Sequence, residues 1–188
     1  MTADEIIDAL LALDPLADLP RTGWVLRGVA SPESIAAHSH GVAVVVMLLV
    51  DALRSQGEEV DGERALRMAL VHDAPEAATG DVPMPVKSTA LNEALKAAEG
   101  ELAGRLLPAA SAALWREAEE GASLEARVVK AADKIQMMIK LLMYTAQGRG
   151  RLDEFWENPA NLRDCGLPIA REIYAAIFRR AGRPLPRT

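Results

Sequence analysis

The chain carries three histidines, His38, His40 and His72, and these are its only imidazole donors. Spacing along a helix at about 100° per residue separates the first two. His38 shares a stripe with Ile35, Val42, Val45 and Leu49 and therefore faces inward, whereas His40 lies on the side of Asp51 and faces water. Taken alone, an inward histidine reads as a core residue with one satisfied hydrogen bond. The next apolar segment changes that reading. Ala65, Leu66, Ala69, Leu70, Asp73 and Glu76 recur at three- and four-residue steps, with His72 at their border, so a buried stripe ends in two carboxylates. Buried carboxylates are costly unless they are paired or bind a metal. Asp73 and Glu76 therefore either cap the helix end and meet arginines, or join His38 and His72 in a mixed nitrogen and oxygen set. Such a set suits manganese, iron, cobalt, nickel or zinc better than calcium. Glu76 could stay off the metal and act as general base for a water.

Asp133, in V-V-K-A-A-D-K-I-Q, is harder to place. The apolar face of its helix centres on Leu124, Val128, Ile135, Ile139 and Leu142, and Asp133 lies nearly opposite, beside Lys130 and Lys134. By pattern it is an exposed acid. Yet Val129 and Met137 flank it, and a helix apolar on both sides is usually buried on both, which leaves room for Asp133 in a site.

The elements that must position these groups read as helices. Ala and Leu dominate while aromatic residues make up 4%, a balance that favours helix over strand. Ile6 to Leu13 forms a short amphipathic helix, and residues 14–33, with three prolines and two glycines, form a loop that also holds Arg21, Trp24 and Arg27. In S-P-E-S-I, Ser31 reads as an N-cap, Pro32 as the first helical residue and Glu33 as a first-turn acid, opening a helix to about Arg54. Further helices run from about Glu63 towards His72, from Thr89 to Leu107, from Ala109 to Glu119, from Ser123 to Gly148, and from Pro168 to Arg180. Gly80 to Pro85 must be loop. The whole chain, 1–188, reads as a single all-α domain, with its metal-binding core at about 21–145 and the helix 168–180 packed on it.

Composition excludes other classes. A formal net charge of −6 with no long basic run disfavours a nucleic-acid polymer as partner. The longest apolar run, 41–50, is about half the roughly 20 residues that a membrane span needs. The N-terminus carries acids where a signal peptide carries Lys or Arg, so a cytoplasmic location is expected. The single cysteine, Cys165, forms no intrachain disulfide and reads as structural, as Trp115 and Trp156 read as packing residues.

The order His38, His72-Asp73, Asp133 resembles the metal-binding signature of the HD-domain phosphohydrolases. Four longer strings carry the likeness: R-T-G-W-V (21–25), P-E-S-I-A-A-H-S around His38, H-D-A-P-E-A-A-T-G-D-V-P-M-P-V-K (72–87) and V-K-A-A-D (129–133). They are similar to the bacterial 5′-deoxynucleotidase group and its relatives. The resemblance implies an all-α HD-domain helical bundle, often a homodimer, in which His38, His72, Asp73 and Asp133 bind one divalent cation (Mn, Co, Fe, Ni, Zn or Mg). It implies that Glu76 orients or deprotonates the attacking water, that Asp81 contacts the sugar side with Val82, Pro83 and Met84 beside it, and that Trp24 lines the nucleotide pocket. The implied reaction is hydrolysis of a deoxyribonucleoside 5′-monophosphate. Two positions depart from that group. Gly23 stands where an arginine precedes the tryptophan, leaving Arg21 or Arg27 to supply a guanidinium, and Met84 stands where a small hydroxyl residue is usual. Lys87 reads as solvated. Hydrolysis of a nucleoside triphosphate, or nucleotide binding without turnover, are the competing readings.

Overall fold

The computed structural model describes residues 1–83 and 89–186, so Met84 and Lys87 lie outside the described residues. The helices are α1 (Ala3–Leu13), α2 (Thr22–Val25), α3 (Ile35–Ser55), α4 (Gly62–Val71), α5 (Glu76–Thr79), α6 (Thr89–Leu106), α7 (Ala109–Glu120), α8 (Leu124–Ala146), α9 (Asp153–Glu157) and α10 (Pro168–Arg180). Among the described residues no strand forms. An isolated bridge between Pro20 and Ser34 is the nearest approach to a sheet. The all-α bundle expected from composition and periodicity is therefore what the chain adopts.

Helix α3 packs on α8 and α4, and α7 and α10 cover further faces of α8. The main core lies between them, where Val42, Val46, Met68, Val128, Met138, Leu141 and Ile177 are almost wholly buried. A smaller cluster of Ala74, Ala103, Leu107, Ala112 and Trp115 sits under α6 and α7. By length and mean hydropathy α3 could cross a membrane. Here it is the central helix of the bundle, held by packing against α4 and α8.

Several boundaries fall where local chemistry sets them. Ser123 caps α8, accepting from the Ala126 N–H, and Asp61 caps α4, accepting from the Arg64 N–H. The expected start of α3 needs correction. The N-cap is Ser34, whose hydroxyl accepts from the Ala37 N–H, and Ser31 stands at φ 51° outside the helix. Glu33 precedes that cap and is not a first-turn acid of the helix. Its N–H donates to the Tyr144 hydroxyl at 2.9 Å, its carbonyl accepts from Arg21 N–H, and its side chain turns into the core.

Two apolar assignments also change. On α4, Leu70 is exposed and Met68 takes the buried place. On α8, Ile139 is exposed, while Ala126, Val129, Ala132, Gln136 and Met138 are buried. A helix enclosed on several sides buries small residues that a single-stripe reading assigns to solvent. One interior glycine has a visible reason. A Cβ on Gly41 of α3 would come within 2.9 Å of Gln136 side-chain atoms. Glycine inside a helix costs about 0.5–1 kcal/mol relative to alanine, so the close approach of Gln136 is held against that penalty.

Candidate metal centre

Four segments converge on one point. His38 comes from the second turn of α3 and is 1% exposed. His72 is the C-terminal cap of α4, and Asp73 follows it in the turn before α5. The α-type bonding of α4 ends at Val71 and tight right-handed turns lead into α5, so Asp73 and Glu76 reach the site from a turn and a short second helix. Asp133 enters from the middle of α8. His40, as its spacing requires, points to solvent.

The ring orientations follow from what holds each Nδ1. His38 Nδ1 lies 2.6 Å from the Gln136 Oε1, and His72 Nδ1 lies 2.8 Å from the Ala69 carbonyl. Both rings therefore present Nε2 to the same space, with their centroids 5.5 Å apart. Among the described residues neither Nε2 has a hydrogen-bond partner, although both are buried. Asp73 Oδ2 stands 3.2 Å from His72 Nε2 and 3.6 Å from His38 Nε2, and Asp133 Oδ1 stands 3.2 Å from His38 Nε2. Ligand atoms of His38, His72 and Asp133 lie within 4.8 Å of one another. Two orphaned imidazole nitrogens facing carboxylates form a donor set that fits a divalent cation.

Electrostatics point the same way. Burial opposes a charge on His72, but the adjacent Asp73 carboxylate overrides it and raises the ring to about 9. Burial likewise opposes ionisation of Asp73, yet His72 and then Arg21 hold it far below its ordinary value. Burial and then the Asp73 charge push Glu76 up to about 9. Glu76 Oε2 is buried and finds no hydrogen-bond partner among the described residues.

Arg21 is the principal internal cation. Its Nη1 lies 3.2 Å from Asp73 Oδ2, 3.6 Å from Glu76 Oε2 and 3.7 Å from Asp81 Oδ1. Gly80, at φ 68°, makes the turn that delivers Asp81. Asp81 Oδ2 then accepts from the Thr22 N–H at 2.6 Å. Arg27 instead pairs with Glu154, whose side chain is 56% exposed, and makes no ion pair with the central carboxylates. Lys134 Nζ lies 3.1 Å from Asp133 Oδ2.

A cavity of about 480 Å³ opens over the cluster, and Arg21, Trp24, Arg27, Asp81, Val82 and Pro83 all line it. Trp24 stacks on Phe155 with centroids 4.7 Å apart and meets Tyr144 edge-on. Sequence reasoning missed Phe155, Gln136 and Glu33 at this site. Glu33 accepts from the Trp24 indole at 3.1 Å and from the Gln136 amide at 2.9 Å. The interior Gly41 was the available signal for Gln136, since an unexplained helix glycine marks a close approach.

Comparison with known proteins gives the geometry a context. Residues 13–163 match the HD domain family. The chain is 32% identical over 166 residues to a human protein named 5′-deoxynucleotidase HDDC2, covering 84% of this chain and 78% of that one. It is 30% identical over 158 residues to the 5′-deoxynucleotidase hdd1 of Schizosaccharomyces pombe, covering 79% and 76%. Among solved structures, a Pyrococcus horikoshii protein superposes with a TM-score of 0.79 at 35% identity, covering 94% of this chain and 98% of that one.

Proposed function

The chain belongs to the HD-domain family of metal-dependent phosphohydrolases, and from that membership we propose that it hydrolyses deoxyribonucleoside 5′-monophosphates to nucleoside and phosphate. The observation that carries the reading is the convergence of two orphaned imidazole Nε2 atoms, Asp73, Asp133 and a buried Glu76 beneath the cavity that Trp24 lines.

His38, His72, Asp73 and Asp133 would hold the cation. Two nitrogen donors favour a transition ion such as Mn, Fe, Co, Ni or Zn over Mg. A divalent cation bound there would polarise a phosphate oxygen and acidify a water. The residues do the rest. With a cation beside it to offset the Asp73 charge that raises it, Glu76 would be ionised and accept a proton from the attacking water as the new P–O bond forms. That proton would pass to the departing 5′-oxygen of the nucleoside as the P–O5′ bond breaks. Arg21 forks onto phosphate oxygens, and Lys134, which lines the same cavity, adds charge. Trp24 and Phe155 wall the nucleoside end, and Asp81 keeps Oδ1 for the sugar because Oδ2 is bonded to Thr22. Arg27 is left at the rim with Glu154.

The expected assembly is a homodimer. Its support is an uncovered apolar stripe of Val44, Met47 and Leu48 on α3, with Ile139 and Met143 exposed on α8. Light scattering on Leu48→Glu protein should give the monomer mass if this stripe is the interface.

The decisive assay strips the protein of metal, reloads it with Co, Mn, Mg or Zn, and measures phosphate release from a panel of mono- and triphosphates. Release from dNMPs that depends on the added ion supports the reading. Triphosphate release from dNTPs with dNMPs untouched overturns it. Glu76→Gln should lower kcat by about 10²–10⁴-fold and leave Co²⁺ binding intact.

A further inference from the structure

A buried polar chain connects the cluster to the cavity wall. From His38 Nδ1 it runs to Gln136 Oε1 at 2.6 Å, and from Gln136 Nε2 to Glu33 Oε2 at 2.9 Å. Glu33 Oε1 accepts from the Trp24 indole at 3.1 Å, and Lys140 Nζ stands 3.4 Å from Oε2. Gln136 is 8% exposed and the Glu33 side chain 3%. The order of donors and acceptors admits one orientation. With Trp24, Lys140 and the Gln136 NH₂ directed at it, Glu33 is the acceptor. The Gln136 amide must therefore present its nitrogen to Glu33 and its oxygen to His38. An oxygen facing Nδ1 requires the proton there, which leaves the lone pair on Nε2, the atom that faces Asp73 and Asp133. A flipped amide would set its oxygen against the Glu33 carboxylate, two acceptors across one gap, and lose the bond that Glu33 accepts. The backbone is shaped to admit this arrangement, because a methyl group at position 41 would collide with both the stem and the amide nitrogen of Gln136.

We propose that Gln136 is a positioning residue for the metal: fixed in orientation by Glu33, it locks His38 in the tautomer whose Nε2 can ligate, and Gly41 keeps the space it needs. The inference rests on His38 being a metal ligand, as proposed above. It adds that the ligating form of His38 is selected by a side chain that touches neither metal nor substrate.

The test is Co²⁺ affinity, measured on stripped full-length protein by visible absorption in competition with a chelating dye. Three variants are compared. Gln136→Met, close in volume but without the strong acceptor, should weaken Co²⁺ binding by about 10–100-fold, the usual range for a lost partner of a ligating histidine. Gln136→Glu keeps an acceptor for Nδ1, since one shared proton in the Glu33 pair restores the donor–acceptor order, and should stay within about threefold of wild type. Gly41→Ala should weaken binding in the same direction by a smaller factor. In the Co²⁺ protein, the exchangeable His38 Nδ1 proton should be protected in wild type and Gln136→Glu, and lost to rapid exchange in Gln136→Met.

Wild-type Co²⁺ affinity in Gln136→Met overturns the proposal. So does a Gln136→Glu protein as weak as Gln136→Met, because the effect would then follow shape rather than hydrogen bonding. If Gln136→Met does not fold, Gly41→Ala decides, and wild-type affinity there overturns the proposal. Failure of His38→Ala itself to lose Co²⁺ would instead overturn the ligand assignment beneath it.

Discussion

His38 and His72 deliver the same atom to the same point by opposite means. His72 stands at the end of α4, and its Nδ1 is held by a main-chain carbonyl of its own helix. His38 lies inside α3, and its Nδ1 is held by a side chain from α8 that is itself held by Glu33. The carboxylates differ in parallel. Asp73 carries a deeply placed arginine, while Asp133 carries Lys134, whose side chain is 30% exposed. One arm is local and built largely from backbone. The other spans distant segments and depends on side-chain identity at each step. A ring oriented by its own helix tolerates substitution around it, whereas a ring oriented through a relay fails wherever the relay is broken.

The two arms should differ most visibly when the rings themselves are removed. His38→Ala and His72→Ala should each reduce ion-dependent phosphate release to background. They should separate in the stability of the stripped protein. Loss of the wholly buried His38 leaves a cavity and an unpaired Gln136 oxygen, and should lower unfolding free energy by about 2–3 kcal/mol in urea titrations. His72→Ala, at a helix end, should cost less, and equal losses would erase the distinction between the arms. The cations come next. Arg21→Ala should raise KM for dNMPs by about tenfold without weakening Co²⁺ binding, because the guanidinium and the ion share the same carboxylates. Lys134→Ala should change KM by only about twofold, in keeping with a partly exposed charge. Trp115→Phe should touch stability and leave the ion in place. The Trp115 indole donates to the His72 carbonyl at 3.0 Å, and losing that bond should cost about 1 kcal/mol of stability. Co²⁺ affinity should remain near wild type, since His72 keeps its Ala69 partner.

The local arm was also the more legible in sequence. His72, Asp73 and Glu76 lie within five residues, and helical spacing selected His38 over His40 without help from structure. The bounds of α10, Pro168–Arg180, follow from its proline start and its basic last turn. The distributed arm was not readable. Periodicity set Asp133 opposite the apolar face, because it assumes one buried stripe and α8 is enclosed on several sides. Glu33 passed for a first-turn acid because Ser31-Pro32 offers good starting chemistry. Its inward turn depends on Tyr144, Trp24 and Gln136, which lie far along the chain or across the fold. Spacing reports what a helix does by itself. It is silent on bonds between segments a hundred residues apart, except where a residue such as Gly41 violates local preference to allow one.

The bond from the Thr22 N–H to Asp81 ties the loop that carries Arg21 and Trp24 to the loop that carries Val82 and Pro83. In evolutionary terms the two walls of the pocket form one heritable unit. A substitution that reshapes one loop moves the other, so changes of substrate range should arise as coupled pairs across residues 21–27 and 80–83. Libraries that vary either loop alone will mostly sample proteins whose second wall no longer fits.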